Sequence, residues 1–97
     1  MLTGKQKRYL RSIAHSMTAT FRVGKDGVSD NMIEGIIQGL KANEMVKIKV
    51  LDNCMEDLNQ VALDLSAGTK SDIVQIIGHT IILYRPSKKE IYKLPWE

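Results

Sequence analysis

The sequence predicts one compact α/β domain in two layers, spanning residues 1–97. Ninety-seven residues can enclose one hydrophobic core and leave too little chain for a second. Hydrophobic residues make up 43% and charged residues 26%, which are ordinary globular values. Helical and alternating apolar patterns follow one another in the order helix–strand–helix–strand–helix–strand–strand. Two strand–helix–strand crossovers and a terminal hairpin imply a four-stranded mixed sheet.

The first helix is predicted over residues 4–17, followed by a strand over about 19–23. Thr3 and Gln6 have the spacing of a capping box, which marks a helix start. Behind it, four apolar residues are spaced for one buried helical face: Leu10, Ile13, Ala14 and Met17.

The second helix is predicted to begin after Ser29, whose side chain can cap it, and to end near Asn43. The strand that follows alternates most clearly, with Val46, Ile48 and Val50 on one face and lysines on the other. Two lysines on one face predict that this face is solvated or meets a polyanion and has no helix over it.

The third helix is predicted to start at a cap on Asp52 or Asn53 and to end before Gly68. Its inward residues would be Met55, Leu58, Ala62 and Leu65. Strands are expected over 72–77 and from Thr80 to Arg85. They would be joined by Gly78-His79 as a type II′ turn, and the tail around Trp96 is expected to pack back onto the core.

Charge is distributed unevenly along the chain, whose net charge is +3 and whose pI is about 9.1. Residues 1–25 contain no acid, and residues 50–69 contain no base. The acids of the second segment are Asp52, Glu56, Asp57 and Asp64. A molecule with one basic and one acidic side favours oriented docking on a polyanion.

Gly24-Lys25-Asp26-Gly27 lies between the first predicted strand and the second predicted helix. Glycine has no side chain to hold a ligand away, so such a turn can bring backbone N–H groups close to a phosphate. With a lysine at its tip and a basic segment before it, the turn is predicted to contact nucleic-acid backbone.

Enzyme and metal sites are not expected. His15 and His79 belong to different elements, no serine has a nucleophile-elbow context, and a dinucleotide fingerprint would need a third glycine. Cys54 is the single cysteine, which excludes an intrachain disulfide, and it is either a buried hydrophobe or a thiol of low pKa. The start has no signal-peptide pattern, and no apolar stretch approaches membrane-spanning length. We therefore expect no cofactor and a cytoplasmic location.

Six blocks of sequence resemble the CRM domain (chloroplast RNA splicing and ribosome maturation) in its stand-alone bacterial form. In order they are 2–6 (LTGKQ), 13–15 (IAH), 23–29 (VGKDGVS), 44–50 (EMVKIKV), 75–79 (QIIGH) and 83–86 (LYRP). The six blocks occur in the family's order between residues 2 and 86, so the resemblance extends over nearly the whole chain and is specific.

The resemblance implies a non-catalytic, monomeric RNA-binding protein that associates with ribosomal RNA in precursors of the large ribosomal subunit. It gives the RNA-contact role to Gly24, Lys25, Asp26 and Gly27. Further basic residues are expected to extend the footprint: Lys5, Lys7, Arg8, Arg11 and Arg22, and more weakly Lys47, Lys49, Arg85, Lys88 and Lys89. Neither a membrane nor a small-molecule substrate is expected as a partner. The alternative is a module that docks on a ribosomal protein through the acidic third helix or the tail around Trp96.

Overall fold

Three helices and four strands alternate in the computed structural model, which describes residues 2–87. The elements are α1 (Gly4–Ala14), β1 (Phe21–Val23), α2 (Asp30–Asn43), β2 (Met45–Val50), α3 (Leu58–Thr69), β3 (Asp72–Ile77) and β4 (Thr80–Tyr84). The predicted α/β class and element order are therefore confirmed. Lys88, Lys89 and the predicted tail around Trp96 lie outside the described residues.

The four strands form one mixed sheet in the order β1-β2-β4-β3. β1 runs parallel to β2, as its crossover through α2 requires, whereas the β2–β4 and β4–β3 pairs are antiparallel. The register shifts once, between Ile73 and Gln75 of β3. The predicted four-stranded mixed sheet is confirmed.

Helices α2 and α3 pack together on one face of the sheet and enclose the larger core. Their buried side chains meet those of alternate strand positions, and the cluster comprises Val23, Ile36, Leu40, Val46, Ile48, Val50, Val61, Ala62, Leu65, Ile81 and Leu83. Gly68 lies where the two helices cross, because a Cβ there would stand 2.8 Å from Cδ1 of Ile33. A larger residue would force the end of the Ile33 side chain to move.

Helix α1 packs on the opposite face, where Leu10 and Ala14 contact Met45, Ile82 and Tyr84. Helices therefore lie on both sides of the sheet, and the prediction of two layers is corrected. The expectation that no helix covers the lysine face of β2 is also wrong for part of that face. Met45 and its β4 neighbours project apolar side chains to this side, and these must be buried against another element.

The predicted starts of the first two helices are confirmed. The Gln6 amide donates to Thr3 Oγ1 at 3.1 Å, and the Thr3 amide donates to Gln6 Oε1 at 3.0 Å. Ser29 caps α2, since its side chain accepts from the Met32 amide. α1 ends at Ala14, three residues before the predicted limit. Lys47 Nζ donates to the carbonyls of Ala14 (3.2 Å) and Met17 (3.1 Å), so a cation satisfies carbonyls at this helix end.

The predicted start of the third helix is wrong. Asp57 is the N-cap, and its carboxylate accepts from the amides of Asn59 and Gln60. Residues 51–57 form a loop in which Met55 is 87% exposed instead of facing inward. The predicted helix end is also wrong: Gly68 lies inside α3, and Lys70 adopts the left-handed C-cap conformation. Asp52, Asn53 and Asp57 can each act as an N-cap, so the sequence alone does not select Asp57.

The C-terminal hairpin follows the prediction closely. β3 has the predicted bounds, and Gly78 has φ +56°, which suits the first central position of a type II′ turn. β4 ends at Tyr84, one residue before the predicted limit.

Candidate nucleic-acid interface

Three connections meet at one end of the sheet. β1 and β2 are parallel, so the Gly24–Gly27 turn after β1 and the 51–57 loop after β2 emerge side by side. The Leu51 amide donates to the Val23 carbonyl at 2.8 Å, and the Val50 amide donates to the His79 carbonyl at 2.7 Å. The tip of the β3–β4 hairpin therefore belongs to the same end, which we call the loop end.

The Gly24–Gly27 segment is a tight turn with Lys25 and Asp26 exposed at its centre. The Gly27 amide donates to the Gly24 carbonyl at 3.0 Å, and Gly27 has φ +68°, a left-handed conformation that favours glycine. Gly27 N–H is therefore used inside the turn and is not free for a phosphate. In the described part of the chain, the amides of Lys25 and Asp26 donate to no other group, so both can donate to a ligand.

An acidic side chain lies directly against the turn. A Cβ on Gly27 would be 2.8 Å from Oε1 of Glu56, and one on Gly24 would be 3.3 Å from Oδ1 of Asn53. The 51–57 loop thus fills the space that the two glycines leave open. The sequence analysis did not identify Glu56 as a site residue, because Glu56 and Gly27 are far apart in sequence and meet only through the pairing of β1 with β2. The signal available was an acid soon after the second predicted strand.

A row of residues crosses the whole sheet beside the loop end. Arg22 pairs with Lys49, Lys49 with Thr80, and Thr80 with Ile77. Paired residues point to the same face, and alternation along β2 places this row on the α1 side with Lys47. Arg22 and Lys49 are exposed, and Ile77 is 48% exposed, so α1 does not cover the row.

The basic residues of α1 lie on the same side of the sheet as this row. Lys5 and Arg8 are exposed, whereas Lys7 and Arg11 are half-buried beside the Leu10 stripe. The fold therefore brings the basic residues of the N-terminal segment and of β2 onto one side of the molecule.

Two predicted contacts have partners within the protein. Lys47 binds the α1 carbonyls described above, and Arg85 donates from NH1 to the Thr69 carbonyl at 3.3 Å. Arg85 also follows the end of β4 that pairs with Met45, at the sheet end opposite the loops. The structure does not bring Arg85 together with the Gly24–Gly27 turn.

The opposite end of the sheet contains a buried acid that the sequence did not reveal. Glu44 is fully buried with φ 65°, and its Oε2 accepts from the amide (2.6 Å) and the hydroxyl (2.7 Å) of Ser87. Burial, together with the carboxylates of Glu44 and Asp72, raises the pKa of Tyr84 above its ordinary value. The buried Glu44 carboxylate therefore has a structural role: it binds Ser87 and holds the residues after β4 against the sheet.

Residues 2–87 include no group of three or more His, Cys, Asp or Glu side chains placed to hold a metal ion. None of the helices described over this range combines the length and apolarity needed to span a membrane. Cys54 is half-buried, and its Sγ lies 3.9 Å from the Glu56 carbonyl, so it packs in the 51–57 loop as a partly exposed side chain.

Comparison with known proteins places these features in a family. Residues 2–85 match the family described as the CRS1 / YhbY (CRM) domain. The chain is 57% identical to "Probable RNA-binding protein YqeI" of Bacillus subtilis, covering 92% of this chain and 93% of that protein. It is 36% identical to "Probable RNA-binding protein MJ0652" of Methanocaldococcus jannaschii, covering 97% and 73%.

The fold also matches a solved structure, that of the Staphylococcus aureus protein SAV1595. The TM-score is 0.82 at 47% identity, with 98% of this chain and all of that chain covered. The family match spans every helix and strand described above, so the resemblance noted in the sequence is confirmed. This chain belongs to the CRS1 / YhbY (CRM) domain family.

Proposed function

We propose that this protein is a non-catalytic RNA-binding factor that associates with precursors of the large ribosomal subunit. The observation that carries the proposal is the Gly24–Gly27 turn. It presents two unpaired amides and the Lys25 ammonium at the loop end, beside exposed Arg22 and Lys49. Amides and cations converging on one surface provide binding to phosphate oxygens. The names of the relatives from Bacillus subtilis and Methanocaldococcus jannaschii support RNA as the polyanion.

The charge distribution supports contact through the α1 side. Four bases of α1 lie on the side of the sheet that carries the row of Arg22 and Lys49, and residues 1–25 contain no acid. Phosphate contacts of this kind fix position and orientation without reading sequence. Lys47 and Arg85 contribute less in this proposal, because backbone carbonyls already bind their charged groups.

The ribosomal target, a cytoplasmic location and a monomeric state are parts of the proposal that rest on resemblance to the family's bacterial members. Crosslinking in intact cells, followed by sequencing of the bound RNA, tests the target directly. Recovery of large-subunit ribosomal RNA is the expected result. Recovery of unrelated transcripts at the same frequency would contradict the ribosomal part and leave RNA binding in place.

A second candidate is docking on a ribosomal protein. The observation in its favour is the exposure of Met55 (87%) and Leu63 (57%) near the acids of the 51–57 loop and α3. Acidic surfaces with exposed apolar residues suit a basic protein partner. Salt dependence distinguishes the candidates, because phosphate contacts release counterions and their affinity falls steeply as salt rises. Charge variants of α1 should weaken ribosome association under the first candidate, and variants of α3 under the second.

A further inference from the structure

We propose that the row Arg22–Lys49–Thr80–Ile77 is a platform for unpaired RNA, with phosphates at its basic end and an unstacked base at its apolar end. The inference rests on the proposed function and adds the class of RNA. The row crosses the sheet from one edge strand to the other, so three strand spacings separate Arg22 from Ile77 by about 14 Å.

The basic end fits a polyanion by charge. Arg22 and Lys49 are adjacent, exposed and on one face, and neither forms an ion pair with any residue in 2–87. The acid that β3 carries on this face, Asp72, pairs with Tyr84 at the other end of the sheet. Two adjacent cations that form no ion pair repel each other across the strand pair, and a phosphate between them would relieve that repulsion.

The apolar end fits a base. Ile77 is 48% exposed at the end of β3, and the neighbouring turn carries exposed His79. A hydrogen bond from the Val50 amide to the His79 carbonyl (2.7 Å) holds this tip against β2, so the surface is pre-formed. Apolar and imidazole side chains can stack on the faces of RNA bases that are unstacked in loops and bulges. A duplex keeps those faces stacked, so Ile77 would add nothing to duplex binding.

The experiment compares three RNA probes by fluorescence anisotropy: a single-stranded oligonucleotide, the same strand with abasic positions, and its duplex. The Arg22→Gln/Lys49→Gln variant should lower the slope of log affinity against log salt by roughly 1.4 on single strands. The loss should be the same for the abasic strand. Lys41→Gln, an exposed α2 lysine on the other side of the sheet, is the matched charge control.

Ile77→Thr tests the apolar end and keeps a β-branched residue in the strand. We expect about fivefold weaker binding to the single strand, the scale for re-exposing half of an isoleucine side chain, and no change on the abasic strand or the duplex. Leu63→Thr, an exposed leucine of α3, is the matched control and should change no affinity. Circular dichroism confirms that each variant is folded.

The outcomes separate the two proposals. If the wild-type protein binds none of the probes and none of the RNA from cells, the proposed function fails. If it binds RNA but the row variants match wild type while Lys25→Ala weakens binding, the platform is wrong and the function stands. Equal losses of Ile77→Thr on the duplex and the single strand would also overturn the platform. A row variant that lowers the melting temperature without changing affinity would make the row a structural contact.

Discussion

Two neighbouring surfaces at the loop end carry opposite local charge. The Gly24–Gly27 turn has one cation, Lys25, next to Asp26 and the Glu56 carboxylate. The row beside it contains Arg22 and Lys49 and has no acid among its own four residues. By the charges of these side chains, the Gly24–Gly27 turn attracts a phosphate less strongly than the basic end of the row does, although only the turn has a sequence motif.

The difference shows that the shape and the charge of a site come from separate parts of a chain. The turn's shape is local, because Gly27 supplies the left-handed residue and closes the turn on Gly24. Its own Lys25 and Asp26 balance in charge, and the added negative charge comes from Glu56 in the loop after β2. We expect the turn to position RNA through backbone amides and the basic surface to supply most of the salt-dependent affinity.

The largest expected effect is on the shape of the turn. Gly27→Val places a β-branched residue at φ +68° and a Cβ within 2.8 Å of Glu56 Oε1, so we expect a loss of about 2 kcal/mol in unfolding free energy. Urea denaturation measures it. Gly78→Val is the matched control, because Gly78 has φ +56° and no atom within 4 Å of the added Cβ. Its loss in unfolding free energy should be similar, because both positions have positive φ. A folded Gly27→Val protein with full RNA affinity would contradict the role of the turn.

The next effect is on the basic surface of α1. Lys7→Gln/Arg11→Gln should lower the slope of log affinity against log salt by roughly 1.4 on single strands and 1.8 on duplex RNA. Both residues flank the Leu10 stripe without belonging to it, so the fold should persist. Titrations at three or more salt concentrations provide the slope. A slope equal to that of wild type would remove α1 from the interface.

A smaller effect is expected at the tip of the turn. Lys25→Ala removes an exposed charge that contacts no core residue, so the melting temperature should stay within about 1 °C of wild type. RNA affinity should fall about threefold at low salt, and by a similar factor for every sequence tested, because a phosphate contact carries no base readout. Unchanged affinity at low salt would exclude Lys25 from the site.

The smallest effect tests the acid beside the turn. Glu56→Gln keeps the side chain's size and removes its charge, so RNA affinity should rise about twofold at low salt and less at high salt. Asp64→Asn makes the same charge change on α3, away from the turn, and should leave affinity nearly unchanged. Equal gains in both variants would mean that net charge, and not the position of Glu56, determines the effect.

Much of the fold could be predicted because its signals are local. The capping box at Thr3, the Ser29 cap, the alternation of β2 and the Gly78-His79 turn all depend on residues within a few positions of one another. The predicted start of the third helix is wrong, because Asp52, Asn53 and Asp57 could each cap it. The end of α3 was also misplaced, since Gly68 serves helix packing against Ile33 instead of ending the helix.

The sequence by itself determined the element order, the mixed sheet, the family and the glycine turn with Lys25 at its tip. Only the tertiary structure decided that α1 covers one face of the sheet, that Lys47 binds the end of that helix, and that Glu56 lies against Gly27. The first group follows from periodicity and turn chemistry, which act over short stretches of chain. The second depends on strand pairing and crossover packing, which bring together residues far apart in sequence, and no local pattern records those contacts.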